Sequence, residues 1–455
     1  MPGLANTVNR GITALAGKRI ANFPPILYTY ALLTVGLFSA AILTVLIRRT
    51  ILHESFPYNT FLFDPQVRFS DFSFFRSRFE YFGQEKFFAD TGFLGADTPF
   101  NYPPFMALIL WGWYRISGDG ASWYIALIIL VAISFAGLLV RALRKSGVAS
   151  GPACLIGCVM LLTSYPVMIL IDRLNLEGLA WILVSIGMIA FVRGRPWLAA
   201  ACFGVAASLK IFPIVLLGVF PAQGKWREFA FGMLIAAGLT LGCLWFMGPS
   251  VGWAWNATLT QQKLLYVPYV LHERGPEYGF QHSLFFLIRQ ALSVFWHGRA
   301  DVIGKAYRIY LPLSPVLGLL LYLRIHKLPV LNQLIALSVC AVWLPWWSGD
   351  YTLVHLYVPW ALLVLWVINR PSTISAITLL WFLAPFLILF TPQPFLVFHG
   401  QPWGGQAKAV ALMILLGSSL LIPLSGGLAD LAQPPVGLAE NEDFSMTEAQ
   451  LQRNF

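Results

Sequence analysis

Long apolar runs dominate the chain, and their lengths predict membrane-spanning helices. A helix needs about 20 apolar residues to cross the hydrocarbon core of a bilayer. Twelve runs are candidates, several of them short: 26–47, 121–140, 151–171, 177–192, 197–209, 211–223, 229–248, 303–323, 328–345, 352–368, 373–391 and 409–424. Two further stretches, 103–116 and 282–297, are shorter or interrupted, and we interpret them as interfacial or half-inserted helices. The pattern predicts an all-α polytopic membrane protein with about 12 transmembrane helices and interfacial helices in its outer loops.

Basic residues between the runs predict the orientation of the spans, because short cytoplasmic loops carry an excess of Lys and Arg. With the N-terminus inside, the inner short loops hold ten basic residues: Arg141, Arg144, Lys145, Arg193, Arg195, Lys225, Arg227, Arg324, Lys327 and Arg370. The outer short loops hold three: Arg173, Lys210 and Lys408. If 103–116 were counted as a full span, the basic residues 141–145 would move to the outer side and this bias would weaken. We therefore predict that both termini lie inside and that the long loops 48–120 and 249–302 face outward.

The same pattern divides the chain into three parts. Residues 1–25 are polar and basic and form a predicted cytoplasmic segment, residues 26–424 form the transmembrane domain, and residues 425–455 form a cytoplasmic, mostly disordered tail. The first apolar run is followed at once by Arg48 and Arg49. We interpret it as a retained anchor and not as a cleaved signal peptide.

Composition excludes other classes of protein. The chain is 58% hydrophobic and only 11% charged, with a mean hydropathy of +0.70, whereas soluble domains carry about 25% charged residues. The net charge of +10 fits cytoplasmic loops facing anionic headgroups, so we expect membrane lipids and no nucleic acid as partners. The five cysteines lie in apolar runs, which indicates small hydrophobic side chains and neither a disulfide framework nor a zinc site.

The first outer loop contains a periodic aromatic segment, residues 67–90. Its phenylalanines recur at steps of three or four, which predicts an amphipathic helix lying in the membrane interface: Phe69, Phe72, Phe75, Phe79 and Phe82. Asp71 falls beside this stripe, so its carboxylate would be held near the membrane plane. A solvated or helix-capping aspartate is the alternative interpretation of the same pattern.

A short motif, Asn101-Tyr102-Pro103-Pro104, follows this segment and precedes an apolar helix. Two prolines suit the start of a helix, so the motif has a structural interpretation beside a functional one. The loop contains no Asp-x-Asp or Glu-x-Glu pair, which is the usual cradle for a divalent cation. We therefore predict no metal and no cofactor.

Polar residues at the predicted outer ends of the spans are candidates for function, since such groups are costly at membrane depth. Four sets stand out: residues 172–177 (DRLNLE), 208–213 (SLKIFP), 281–283 (QHS), and 348–350 (SGD) with His355. Singly, each has a structural alternative, for example an ion pair at Asp172, a snorkelling Lys210 or a core histidine.

Together, these sets converge on one face of the membrane, beside the loop that carries Asp71. Arg173, Lys210, His282 and His355 could hold a phosphate diester at the lipid boundary. Asp71 could serve as a general base. A base next to a phosphate-binding cluster at the outer leaflet indicates a sugar transferase that uses a lipid-phosphate donor.

At these residues the chain resembles the GT-C class of membrane glycosyltransferases, and most of all glycosyltransferase family 87, the polyprenol-phosphate-mannose-dependent mannosyltransferases. The resemblance covers roughly residues 25–425, and its short motifs are specific only in combination. They are residues 70–76 (SDFSFFR), 101–104 (NYPP), 172–177 and 208–213. The turn at 172–177 has Leu174 where relatives often have glycine before the asparagine.

This resemblance implies a GT-C fold with an outward active site under the first loop, Asp71 as catalytic base, and a polyprenyl-phosphate sugar as donor. It implies transfer without a metal. The donor phosphate and sugar would meet a set of residues from several segments: Tyr102, Arg173, Asn175, Glu177, Lys210, His282 and His355. A lipid or glycan would be the acceptor, at the outer face of the cytoplasmic membrane.

Two other classes remain open at this point. A secondary transporter or flippase of lipid-linked sugars would need ionisable groups near the middle of the membrane, whereas the candidates here cluster at one face. An inactive scaffold relative would keep the fold without the reaction, and an intact Asp71 weighs against it.

Overall fold

The computed structural model describes residues 24–54, 68–69, 71–72, 78–88, 100, 102–117, 121–162, 164–271, 279–296, 298–369, 375–398 and 401–425. Asn101 lies outside the described residues, as do nearly all of the predicted N-terminal segment 1–25 and the tail after 425.

The described chain is almost entirely helical. Its α-helices are α1 (Pro25–Leu46), α2 (Pro104–Ser117), α3 (Ala121–Lys145), α4 (Ser150–Leu162), α5 (Tyr165–Arg173), α6 (Glu177–Val192), α7 (Pro196–Leu209), α8 (Val219–Ala222), α9 (Trp226–Leu244), α10 (Val251–Leu264), α11 (Leu284–Trp296), α12 (Ala300–Ile325), α13 (Val330–Trp343), α14 (Tyr357–Asn369), α15 (Ala376–Phe390) and α16 (Gly404–Leu421). Short 3-10 helices cover Phe79–Tyr81, Glu85–Phe88, Phe212–Gly218 and Asp350–Leu356, and π-helical turns cover Ile47–Ile51 and Val267–Leu271. Two short antiparallel strands, β1 (Val397–Phe398) and β2 (Gln401–Pro402), form a hairpin before α16.

The predicted fold class is confirmed: the protein is an all-α polytopic membrane protein. Among the described residues, six helices are long and apolar enough to cross a membrane, and seven more apolar helices are shorter. The described part of every predicted apolar run is mostly helical, and the stretches 103–116 and 282–297 correspond to α2 and α11. The number of spans and their orientation remain predictions.

One predicted span, 151–171, consists of two helices. The first, α4, ends at Leu162, and α5 begins at Tyr165 with Pro166 in its first turn. Ser164 between them has an extended backbone, with φ −96° and ψ 93°. Proline is tolerated in a first turn because the N–H it lacks has no partner there, whereas inside a helix it breaks the hydrogen-bond ladder. Hydropathy alone does not register this interruption.

The aromatic segment of the first outer loop is not the single helix 67–90 that its periodicity predicts. The described part contains two 3-10 helices, separated by Gly83 with φ +85°, a left-handed conformation that ends regular helix. The described aromatic side chains of the segment are buried or half-buried, and Phe79 and Phe87 are almost completely buried against the bundle. These side chains therefore anchor the loop on the protein.

Small residues let the central helices approach closely. Helices α6, α7 and α9 pack side by side, and a Cβ on Gly204 would lie 2.5 Å from the carbonyl oxygen of Gly232. Membrane helices gain little from the hydrophobic effect against one another, so their packing depends on such contacts. This core fixes the ends of α5, α6 and α7, where the polar motifs lie.

The predicted orientation is tested by labelling engineered cysteines. We expect Ser146→Cys, in the turn after α3, to react with a membrane-impermeant thiol reagent only after the membrane is opened. Lys86→Cys, on the exposed side of the first outer loop, should react in intact cells. Both variants are made in a background without the five native cysteines. Labelling of position 146 from outside would contradict the twelve-span arrangement.

Candidate active site

A cavity of about 1250 Å³ opens between the helices and has one polar end. Among the described residues that line it, the charged ones lie at that end: Asp71, Arg173, Glu177, Lys210 and Asp350. The volume exceeds the range of roughly 300–1,000 Å³ that is typical of small-molecule pockets. A charged end on a long apolar cavity suits an amphiphilic ligand with an anionic head.

The polar end is built on the tight turn between α5 and α6. Leu174 ends α5 in the left-handed region, with φ +51°, and its buried side chain stays in the core. A left-handed conformation costs a non-glycine residue roughly 1–2 kcal/mol, and such strain is common at functional sites. The turn places Asn175 so that its Oδ1 accepts a hydrogen bond from the backbone N–H of Glu177, at 2.9 Å.

The first outer loop docks onto this turn and delivers Asp71. The backbone N–H of Phe69 donates to the carbonyl oxygen of Asp172 at 2.7 Å, which satisfies one of the carbonyls left free at the end of α5. The Asp71 carboxylate then meets two groups of the turn. Arg173 Nη2 lies 2.9 Å from Oδ1, and Asn175 Nδ2 donates to Oδ2 at 2.5 Å.

A second carboxylate, Glu177, lies fully buried behind the turn. His355 Nε2 is 2.6 Å from its Oε1, and Lys210 Nζ is 3.7 Å from its Oε2. Lys210 also lies over the ring of Tyr102, 4.4 Å from the ring centre, which is a cation–π geometry. Burial raises the pKa of Tyr102 well above its ordinary value, and the nearby carboxylates of Asp71 and Glu177 raise it further, so its hydroxyl stays protonated.

A third carboxylate, Asp350, begins the 3-10 helix that carries His355. Lys408 Nζ, from α16, lies 2.6 Å from its Oδ2, and His282 Nδ1 lies 3.4 Å from its Oδ1. The His282 Nε2 is within 3.2 Å of the hydroxyls of Ser348 and Thr352. Burial lowers the pKa of His282, although Asp350 opposes the shift, so we treat the imidazole as neutral.

Six of the predicted site residues line the cavity together: Asp71, Tyr102, Arg173, Asn175, Glu177 and Lys210. The two histidines, His282 and His355, do not line it and are almost completely buried. In the structure each histidine contacts a carboxylate of the cavity wall, His282 at Asp350 and His355 at Glu177. Contact of either histidine with a donor phosphate stays a prediction.

The pair Asp350–Lys408 is the part of the site that sequence reasoning missed. In the sequence, Asp350 is only one of several polar residues at a predicted outer end, and Lys408 is only a loop charge. A lysine within an apolar helix is itself a signal, because a buried ammonium group requires a partner. The sequence does not say that the partner is 58 residues away.

The rest of the cavity is an apolar groove between α9, α12 and α13. One face of α12 lines it, with lining positions that recur at each turn of the helix: Ser314, Pro315, Gly318, Leu319, Tyr322 and Ile325. On α9 the lining runs from Trp226 to Thr240, which at 1.5 Å per residue spans about 21 Å. This length is roughly two-thirds of the thickness of a bilayer's hydrocarbon core, about 30 Å.

A metal centre has no evident ligands in the part of the chain that the structure describes. No group of three or more His, Cys, Asp or Glu side chains is suitably placed there. The described carboxylates at the cavity instead face Arg, Lys, His or Asn side chains. Transfer without a metal remains a prediction.

Comparison with known families gives one match. The model of glycosyltransferase family 87 matches residues 100–342, which is more than half of the chain. The matched region includes the turn at 172–177 and Lys210, while Asp71 precedes it and Asp350, His355 and Lys408 follow it. Searches of curated proteins and of solved structures return no match.

Proposed function

Because the chain belongs to glycosyltransferase family 87, we propose that it transfers mannose from a polyprenyl-phosphate donor to a lipid or glycan acceptor. In this proposal the reaction takes place at the outer face of the cytoplasmic membrane, proceeds with inversion, and uses Asp71 as general base. The donor phosphate would bind at Arg173 and Lys210.

One observation carries the proposal: a carboxylate, a guanidinium and an ammonium group meet at the head of a long apolar groove. Asp71 and Arg173 are in contact at 2.9 Å, and both line the cavity with Lys210. Arginine and lysine are the side chains that bind phosphate groups most strongly. The apolar groove offers a polyprenyl chain a path between α9 and α12.

The proposed step is a single displacement at the anomeric carbon. The acceptor hydroxyl loses its proton to Asp71 as its oxygen forms the new glycosidic bond. The bond between the anomeric carbon and the phosphate oxygen breaks, and polyprenyl phosphate leaves with the electron pair. Arg173 and Lys210 would stabilise the negative charge that develops on that phosphate. One displacement inverts the anomeric centre, as in glycosidases that use a single step.

The position of the charges supports a transferase over a transporter of lipid-linked sugars. The charged residues that line the described cavity lie together at the end formed by the 172–177 turn, whereas transporters place substrate and coupling-ion sites near the bilayer midplane. An inactive scaffold is the remaining alternative. The contacts of Asp71 with Arg173 and Asn175 at the cavity support an active enzyme.

The donor class is tested at Lys210. We expect Lys210→Met to raise the KM for polyprenyl-phosphate mannose about tenfold, because the change removes a charge-assisted contact to phosphate, while the acceptor KM changes little. Lys263→Met is the matched control, since Lys263 is exposed at the end of α10 and does not line the cavity. An unchanged donor KM in Lys210→Met would show that Lys210 serves only the packing of the site.

A further inference from the structure

We propose that Asp350 and Lys408 are positioning residues for the phosphate end of the cavity. Their buried ion pair would fix the 3-10 helix Asp350–Leu356, so that His355 holds Glu177 and Glu177 orients Lys210. The inference rests on the proposed function, because it assigns Lys210 to the donor phosphate. It concerns residues beyond the region that the family model matches.

The ion pair lies at a junction of three chain segments. Gly405, at the start of α16, packs directly on the backbone of Gln281, where a Cβ would clash. Gln281 Oε1 accepts from the backbone N–H of Ser348 at 3.0 Å, and the His282 N–H donates to the Ser348 carbonyl at 3.1 Å. The Asp350–Lys408 pair connects α16 to the 3-10 helix at this junction, with both side chains about 2% exposed.

Lys408 contacts two parts of the site at once. Its Nζ is 2.6 Å from Asp350 Oδ2 and 4.5 Å from the ring centre of Tyr165. Tyr165 begins α5, the helix whose last residue is Arg173. One ammonium group from α16 therefore contacts both the 3-10 helix and α5. The 3-10 helix carries the histidine that contacts Glu177, and α5 ends at the arginine that contacts Asp71.

From Asp350 the contacts continue to the cavity. The 3-10 helix ends one residue beyond His355, whose Nε2 lies 2.6 Å from Glu177 Oε1. The other oxygen of Glu177 is 3.7 Å from Lys210 Nζ. The first link is at hydrogen-bond distance and the second is an ion pair, so a displacement of the 3-10 helix would move the carboxylate that faces Lys210.

Stability alone does not require a pair of charges here. A deeply buried ion pair often contributes no more to stability than well-packed apolar side chains of similar volume, because both charges lose their hydration. What the pair adds is a fixed distance and direction between α16 and the 3-10 helix. Asp350 also lines the cavity, so the ion pair fixes the position of the 3-10 helix directly at the cavity wall.

The test is a double-mutant cycle on ligand binding. Purified protein in lipid nanodiscs is titrated with polyprenyl phosphate, which carries the head and chain of the proposed donor without its sugar. We expect the neutral double variant Asp350→Asn/Lys408→Met to weaken binding about tenfold, and Lys210→Met to weaken it by a similar factor. Because both changes would act through Lys210, combining all three should weaken binding about tenfold in total, and not about a hundredfold.

Matched variants separate positioning from general damage. Arg299→Met/Asp301→Asn removes an exposed ion pair at the start of α12 and should leave binding unchanged. Asp350→Glu keeps the charge but lengthens the side chain, so it should weaken binding even if the neutral double variant does not fold. In transfer assays, the Asp350→Asn/Lys408→Met variant should raise the donor KM while kcat changes little.

Two results would overturn the inference. Independent, multiplicative effects of the Asp350–Lys408 and Lys210 changes would show that the buried pair does not act through Lys210, and the proposed function would stand. Absence of polyprenyl phosphate binding by the wild-type protein would remove the proposed donor class, and this inference with it.

Discussion

Asp71→Asn is expected to lower kcat by roughly 10²–10⁴-fold, the usual contribution of general acid–base catalysis. The amide keeps the size of the carboxylate and one acceptor oxygen, so it can accept from Arg173 or from Asn175, which now donate to the two carboxylate oxygens. It cannot accept the proton of the acceptor hydroxyl. The KM for the donor should change little, because the phosphate is assigned to other side chains. Initial rates at saturating donor and acceptor measure the effect.

The control for this variant lies in the same outer loop. Glu85 is an exposed carboxylate of the second 3-10 helix and does not line the cavity. We expect Glu85→Gln to stay within a few-fold of the wild-type rate. Near wild-type transfer by Asp71→Asn would exclude Asp71 as the base. The candidate bases would then be Glu177 and Asp350, the other carboxylates among the described residues that line the cavity.

Arg173→Met should have the second largest effect, a fall of about 10²–10³-fold in kcat/KM. The change would remove a charge-assisted hydrogen bond to the phosphate, typically 1.5–3 kcal/mol, and it also removes the ion-pair partner of Asp71. Arg173→Lys should recover only part of the loss, since an ammonium group cannot reproduce the planar fork of a guanidinium. Steady-state kinetics with polyprenyl-phosphate mannose check both variants.

A neighbouring arginine provides the comparison for Arg173. Arg68 is half-exposed, pairs with Asp172 at 3.6 Å and does not line the cavity. Arg68→Met should therefore lower kcat/KM no more than a few-fold, with most of that loss coming from weaker docking of the loop. Equal effects of the two substitutions would mean that Arg173 holds the loop in place and does not bind the donor.

The helices could be predicted from the sequence because apolar length is a direct requirement of the bilayer. What hydropathy cannot report is the continuity of the backbone within an apolar run. The break between α4 and α5 depends on Pro166 and on the extended Ser164. In the first outer loop the phenylalanine spacing was helical, yet Gly83 with φ +85° divides the segment into two 3-10 helices.

The candidate site could be predicted in part. The sequence indicates Arg173 and Lys210 because charged groups at the outer ends of spans are unusual, and Asp71 because it lies beside the aromatic stripe of the adjoining loop; the structure brings all three to one cavity. The partners of the histidines were not predictable. His355 lies 178 positions from Glu177, and His282 lies 68 positions from Asp350, so these contacts depend on helix packing that no local pattern records.

Leu174, in the turn between α5 and α6, is a position whose role becomes clear only when sequence and structure are compared. The sequence has a leucine at this position, and the structure shows that the position has φ +51°, the region glycine adopts most easily. Leucine is accommodated because its side chain is completely buried. Packing energy thus offsets backbone strain at the turn that holds Asp71, a balance that can be recognised only when both are known.

The most direct measurement of the central claim is sugar transfer by the purified protein. Wild type and Asp71→Asn are each incubated in nanodiscs with polyprenyl-phosphate mannose, labelled in the sugar, and a lipid extract as acceptor. We expect the wild-type protein to move label into acceptor lipids or glycans, with the anomeric configuration inverted relative to the donor by NMR, and Asp71→Asn to move little or none. Absence of transfer by the wild-type protein from any polyprenyl-phosphate sugar would contradict the proposed reaction and favour a transporter or a scaffold.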